Sequence, residues 1–362
     1  MKTVYIWGTV STFTAPLIAF LLAKGWHVHI ACKSAINILS LSPLDLPASA
    51  RDALQIVLGG RNQFKAFQDK IKFLENGEVC HDTVYDAFVF YGLPPNFDDA
   101  RVPRALWAAS ELPAAAKAMR GVPVFIVSSL WGGIQPDGVV PEELEFERRK
   151  PRHHWERVCQ NYEERLIQGL SKIESNWYFI RLPLLTPSTA DGYSFSFTGL
   201  AHLFTALDPQ FQSAHNGTKS SAHEVSAGRS VSLAHAPDST LWFLPVDTAV
   251  YLFWRLLEDG ARPRICNLVS TQATLNREWL QYLAQAEGLK EIVPAQHKDG
   301  LVLPMVLRKL LRDNVQVKTR NLFEVTGRYQ LRPEKLDQNY FAKVIDVGRR
   351  NNWGLRKIHT AS

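Results

Sequence analysis

Residues 3–33 constrain the fold more than any other stretch of this chain. Thr3 to Trp7 is a short, apolar, partly β-branched run, the pattern of a strand buried on both faces. Gly8 to Thr14 consists mostly of small residues and suits a tight turn. Leu17 to Lys24 is apolar with helical length once its approach is included, and Gly25 stands where a helix closes on a left-handed residue. Val28 to Cys32 then reads as a second strand. Strand, turn, helix and strand make a βαβ unit, whose turn and helix N-terminus aim their N–H groups at a bound anion. No charge falls between Lys2 and Lys24, so a signal segment or membrane span is the alternative reading. Gly8 and Pro16 interrupt the run and a strand follows at once, which favours βαβ and gives the expectation of no membrane.

A chain of 362 residues holds one large α/β domain and a smaller lobe, and 46% hydrophobic residues supply a sizeable core. The net charge of +6 fits anionic ligands such as phosphates, or an acidic carrier protein. Cys32, Cys80, Cys159 and Cys266 are far apart, with no metal-ligand spacing. They read as reduced thiols of a cytoplasmic protein without a metal site. Basic residues without interleaved aromatics, and without a recognition module, argue against nucleic acid.

The following chain alternates strands and helices. Leu54 to Leu58 is strand-like, residues 63–74 have helical period, Tyr85 to Tyr91 is a buried strand, and 102–119 is an Ala-rich helix. Val122 to Ser128 is another strand, 152–173 a long helix with Pro151 in its first turn, and Trp177 to Leu182 a strand. This order predicts a doubly wound parallel sheet of Rossmann type, with ligands beyond the carboxyl ends of the strands. Further on, Leu241 to Leu244 and Ile265 to Val269 are strand-like, and Thr274 is expected to cap a helix through Ala286. The predicted division is a nucleotide-binding domain over 1–183, a smaller substrate lobe over 184–297 and a basic helical extension over 298–362.

These pieces, in this order, resemble the extended, epimerase-like short-chain dehydrogenase/reductases over roughly residues 1–290. Gly8 stands at the first glycine of that family's Gly-x-x-Gly-x-x-Gly turn. Tyr85-Asp86-Ala87-Phe88-Val89 looks like the fourth strand's Asp-Ala-Val-Val, and Phe125-Ile126-Val127-Ser128-Ser129 like the fifth strand's Val-Tyr-Val-Ser-Ser. Phe179-Ile180-Arg181, Val246-Asp247-Thr248-Ala249 and Ile265-Cys266-Asn267-Leu268 match later segments. The resemblance implies NADP as cofactor, held by Gly8, Val10, Ser11, Thr12, Phe13, Lys33, Tyr91, Gly92, Ser128, Gln160 and Leu184. Lys33, at the end of the second strand, is either the cation for a 2′-phosphate or a solvated strand-end charge. The resemblance also implies a small-molecule substrate and pairing of two copies through the helices near 102–119 and 155–173.

The departures from the family fall on its chemistry. Ser11 and Thr14 replace the second and third glycines of the turn. Their hydroxyls can donate to phosphate, but the middle glycine is what lets pyrophosphate approach the backbone. None of the ten tyrosines has lysine four residues on, so the Tyr-x-x-x-Lys pair that moves the proton and holds the ribose is missing. Counting back from Arg181 puts its tyrosine position near Glu156 and its lysine position near Gln160. The substitutes expected for catalysis are Ser129, His153 and Glu156, each with a structural alternative: strand-end cap, helix-start histidine, or carboxylate paired with an arginine. The cluster Arg148-Arg149-Lys150-Arg152 is either a solvated surface or a phosphate-facing patch. The leading expectation is an atypical NADP(H)-linked oxidoreductase on a small metabolite, perhaps tethered to a carrier or coenzyme A. The rivals are a non-redox cyclase, dehydratase or isomerase, and a non-catalytic nucleotide-sensing or scaffold protein.

Overall fold

The computed structural model describes residues 1–8, 11, 13–32, 65–75, 79–80, 82–92, 102–190, 200–208, 228–259, 262–270, 273–295, 301, 305–328 and 336–350. They belong to two compact units. One comprises residues 1–183, 248–269 and 317–331, the other residues 184–247, 270–316 and 332–362.

The first unit is built on seven strands: β1 (Thr3–Gly8), β2 (His27–Cys32), β3 (Ile71–Glu75), β4 (Ala87–Tyr91), β5 (Val124–Ser129), β6 (Trp177–Leu182) and β7 (Ile265–Asn267). Their order is β7-β6-β5-β4-β1-β2-β3, and every neighbouring pair is parallel. This is a doubly wound Rossmann-type sheet, as the strand–helix alternation predicts. All of β4 and β5 is buried, which is why both read as unbroken apolar runs. Flanking helices include α1 (Thr14–Ala23), α2 (Val102–Ala118), α3 (His154–Leu170) and α4 (Val246–Glu258). Gly25 closes α1 at φ 83°, with the Trp26 N–H donating back to the Leu21 carbonyl.

Two local expectations need correction. Ile71–Glu75 is the edge strand β3, although residues 63–74 carry a helical period; a short mixture of apolar and charged residues fits either element. Leu54 to Leu58 lies outside the described residues. Pro151 precedes α3 rather than opening it, because His153 is the N-cap: its Nδ1 accepts the Glu156 N–H at 3.1 Å. The exposed positions of α3 are Arg157, Asn161, Glu164, Arg165 and Gln168.

In the second unit, Leu184–Thr186 pairs with Phe243–Pro245 and Ser230–Leu233 with Glu291–Pro294. Helices α5 (Asn276–Glu287) and α6 (Gln338–Arg350) enclose a core in which fully buried Trp279 meets Phe243 and Phe341. Thr274 does not cap α5: it pairs with Leu241 in a short antiparallel ladder, and Leu275 takes the cap position. The described residues after 298 form the helices Met305–Leu310, Arg320–Arg328 and Gln338–Arg350 and the short strand Gln316–Val317, divided between the two units. Among the described residues no helix is long and apolar enough to cross a membrane.

One buried ion cluster makes the second unit sensitive to pH. Arg349 Nη2 donates to Glu287 Oε2 at 2.6 Å and to Asp208 Oδ1 at 2.9 Å, and both carboxylate side chains are fully buried. Burial and the neighbouring Asp208 push the Glu287 carboxyl up to about 8, against the pull of Arg349; Asp346 also faces that guanidinium. A group whose folded pKa is raised binds its proton on folding, so its contribution is complete below its usual value of 4.5 and is lost as pH rises towards 8. Denaturant unfolding is therefore expected to show stability falling from about pH 5 to about pH 8, by a few kcal/mol at most. Glu287→Gln should flatten that slope; an unchanged slope in the variant would remove the assignment.

Candidate functional site

The turn after β1 is where a dinucleotide pyrophosphate would sit. Gly8 has φ 141°, and a Cβ there would lie 1.8 Å from the Tyr91 carbonyl oxygen. Its lack of a side chain is thus already required by the close packing of β1 on β4. Ser11 and Thr14 form a reciprocal cap. The Ser11 N–H donates to Thr14 Oγ1 at 2.8 Å, while Ser11 Oγ accepts the N–H groups of Phe13 and Thr14, each at 3.2 Å. The Ala15 N–H reaches the Ser11 carbonyl at 3.1 Å, so Ser11 caps the first turn in the manner of a capping box. Phe13 is fully buried, with its ring 6.0 Å from Tyr91 and 5.2 Å from Phe253. Burial pushes the Tyr91 hydroxyl up to about 12, opposed by the nearby Ser11 hydroxyl. Val10, Thr12 and Lys33 lie outside the described residues. Leu184 belongs to the second unit, at the start of the strand Leu184–Thr186.

Glu156, an expected catalytic substitute on α3, lies in a buried ion pair. Glu156 is fully buried and accepts from Arg149 Nε at 2.6 Å, from Arg149 Nη2 at 3.2 Å and from the Arg152 N–H at 3.0 Å. Gln160, one turn on, donates from Nε2 to the Arg149 carbonyl at 3.0 Å, so both relay positions hold the same loop. His153 lies under this loop, with Nδ1 used for the helix cap and Nε2 3.9 Å from Glu156 Oε2.

A second buried network lies two turns further along α3, on the same face because seven residues return a helix almost to its starting direction. Glu163 accepts from Arg181 Nη2 at 2.8 Å, Arg148 Nη2 at 3.2 Å and Ser128 Oγ at 2.9 Å. Arg181 is itself fully buried and also donates to the carbonyls of Pro141 at 2.7 Å and Glu143 at 3.0 Å. The turn after β5 fits around this network only as glycine. A Cβ on Gly132 would meet Glu163 Oε2 at 2.7 Å, and one on Gly133 would meet Arg181 Nε at 2.7 Å. Burial pushes the pKa of the Cys159 thiol, near Ser129, well up, so that thiol stays protonated. Tyr162 Oη accepts the Gly92 N–H at 2.9 Å at the end of β4.

The predicted residues Ser11, Phe13, Tyr91, Gly92, Ser128, Ser129, His153, Glu156 and Gln160 thus all belong to the first unit; Ser11, the Gly92 N–H, Ser128, His153 Nδ1, Glu156 and Gln160 are hydrogen-bonded to neighbouring side chains or backbone. The basic cluster is not a solvated patch at Arg148 and Arg149: both guanidinium groups face buried carboxylates. Glu163 and the buried setting of Arg181 were missed by sequence reasoning. The available signal was a pair of glutamates seven apart, each flanked by Trp155, Val158, Cys159, Tyr162 or Leu166 on the apolar face of one helix.

No protein-family model matches the sequence, and no curated protein matches it. Solved structures do match. A thiolation-reductase di-domain from an archaeal non-ribosomal peptide synthetase superimposes with TM-score 0.66 at 10% identity, over 97% of this chain and 76% of that one. The terminal R domain of the myxalamid PKS-NRPS pathway gives 0.67 at 14% identity, over 98% and 92%. A dTDP-glucose 4,6-dehydratase from Bacillus anthracis, in complex with NAD, gives 0.61 at 10% identity, over 98% of each chain. The fold is that of the extended short-chain dehydrogenase/reductases. Of these, the dehydratase structure holds NAD. Among the described residues of the present turn, the Phe13 and Thr14 N–H groups donate to Ser11, and on α3 Gln160 is bound to backbone.

Proposed function

We propose that this chain is a binding or scaffold protein on the extended dehydrogenase/reductase fold, one that does not transfer hydride by the family's proton relay. The observation that supports this most is the Glu156 carboxylate, buried and held by Arg149 and the Arg152 N–H near the position counted for the missing tyrosine. A general acid must reach a substrate with its proton, and three of the roughly four lone-pair sites of this carboxylate are taken by a guanidinium and an amide. The lysine position supplies no positive charge to lower the pKa of a neighbouring acid.

A second reading is an NADP(H)-linked oxidoreductase acting on a small metabolite held on an acidic carrier. The likeness to reductase domains of peptide and polyketide assembly supports it, by fold. It would need His153 or Ser129 as the acid. Against its carrier contact, two of the four cations from Arg148 to Arg152 are turned inward.

Incubation with NADPH or NADH and a panel of aldehydes and acyl thioesters separates the two, read as loss of reduced nucleotide. The expected result is no consumption beyond the protein-free control. Consumption that disappears in His153→Ala would establish the oxidoreductase reading instead.

A further inference from the structure

We infer that the Ser11–Thr14 cap stands in for the pyrophosphate of a dinucleotide, so that the chain's own hydroxyl closes the nucleotide site. In a Rossmann unit the amides at the start of the first helix donate to phosphate oxygens, and they are unsatisfied by the helix itself. Here Ser11 Oγ accepts from Phe13 and Thr14, 3.2 Å from each nitrogen, and Thr14 Oγ1 takes the Ser11 N–H at 2.8 Å. The two hydroxyl oxygens are 3.1 Å apart. Ser11, Phe13 and Thr14 are each at most 2% exposed, so these groups do not line an open cradle. A phosphate oxygen would have to displace Ser11 Oγ from donors it already satisfies, with Phe13 packed behind. Removing that one oxygen and its Cβ returns the position to the family's glycine while Gly8 and the sheet beneath remain. This deepens the binding-protein reading, and is separable from it, because an opened turn still lacks the relay residues.

The test is calorimetric titration of the full chain and of Ser11→Gly with NADPH and with ADP-ribose, whose shared chemistry is the pyrophosphate. The unaltered chain should show no saturable binding, and Ser11→Gly should gain at least tenfold in affinity for both, still without consuming NADPH in the presence of an aldehyde. Amide hydrogen exchange supplies a readout that does not depend on binding. The Phe13 and Thr14 amides should be protected in the unaltered chain and exchange at least tenfold faster in Ser11→Ala. Equal binding by the unaltered chain and Ser11→Gly, or no gain once exchange shows the amides released, would overturn the inference. Unprotected amides in the unaltered chain would do the same. Gain of binding together with NADPH turnover would instead keep the closed turn and defeat the non-redox reading.

Discussion

Replacing Arg181 with methionine should cost about 3–5 kcal/mol, because it strands the buried Glu163 carboxylate without its main partner. Arg181 and Glu163 are both fully buried, and their contact at 2.8 Å joins β6 to α3 beneath the turn after β5. The same guanidinium satisfies the Pro141 and Glu143 carbonyls, so the loop from Gly132 onward loses its anchor as well. Against a typical total of about 5–15 kcal/mol, such a loss leaves little cooperative structure. Urea unfolding is the measurement. Glu163→Gln keeps an acceptor for Ser128 and Arg148 and should be milder only if the Arg181 charge finds other oxygens, which the two backbone carbonyls provide. A midpoint for Arg181→Met within experimental error of the unaltered chain would show that the network is not what holds this region.

The second large effect separates a structural Glu156 from a catalytic one. Arg149→Met alone leaves Glu156 charged and buried, at a cost of about 3–5 kcal/mol. Arg149→Met combined with Glu156→Leu removes both charges and should recover most of that loss, since apolar replacement of a whole buried pair is often neutral or stabilising by about 1–4 kcal/mol. The coupling, measured as a double-mutant cycle in urea, is expected to reach at least ~2 kcal/mol, within the range seen for residues in one network. Additive losses would mean that Arg149 and Glu156 act independently, and would reopen a role for the carboxylate outside the ion pair.

Much of the fold could be read from local pattern because parallel strands buried on both faces write themselves as apolar runs. Tyr85 to Tyr91, Val122 to Ser128 and Trp177 to Leu182 each identified a strand of the sheet: the first begins at Ala87, the second runs Val124–Ser129, and the third has the expected bounds. β3 escaped because its five residues, Ile71–Glu75, mix apolar and charged side chains without strict alternation and also match a helix face. The site was harder to read, for a different reason. Composition shows that Ser11 and Thr14 replace glycines, but not whether their hydroxyls face a phosphate or each other; they face each other. Likewise Arg148 and Arg149 look like a surface cluster along the chain, and only the fold brings Glu163 and Glu156 against them. Adjacent arginines divided between two carboxylates seven residues apart are a tertiary fact.

These networks support the proposal that the places a nucleotide and a proton relay would take on this fold are filled by the chain's own side chains. The most direct measurement is calorimetric titration of the unaltered protein with NADPH and NADH near neutral pH. The account predicts no saturable heat up to about millimolar nucleotide, a free energy no better than about −4 kcal/mol. Saturable binding at micromolar concentration would contradict it, and would mean that Ser11 yields its two amides to a phosphate after all.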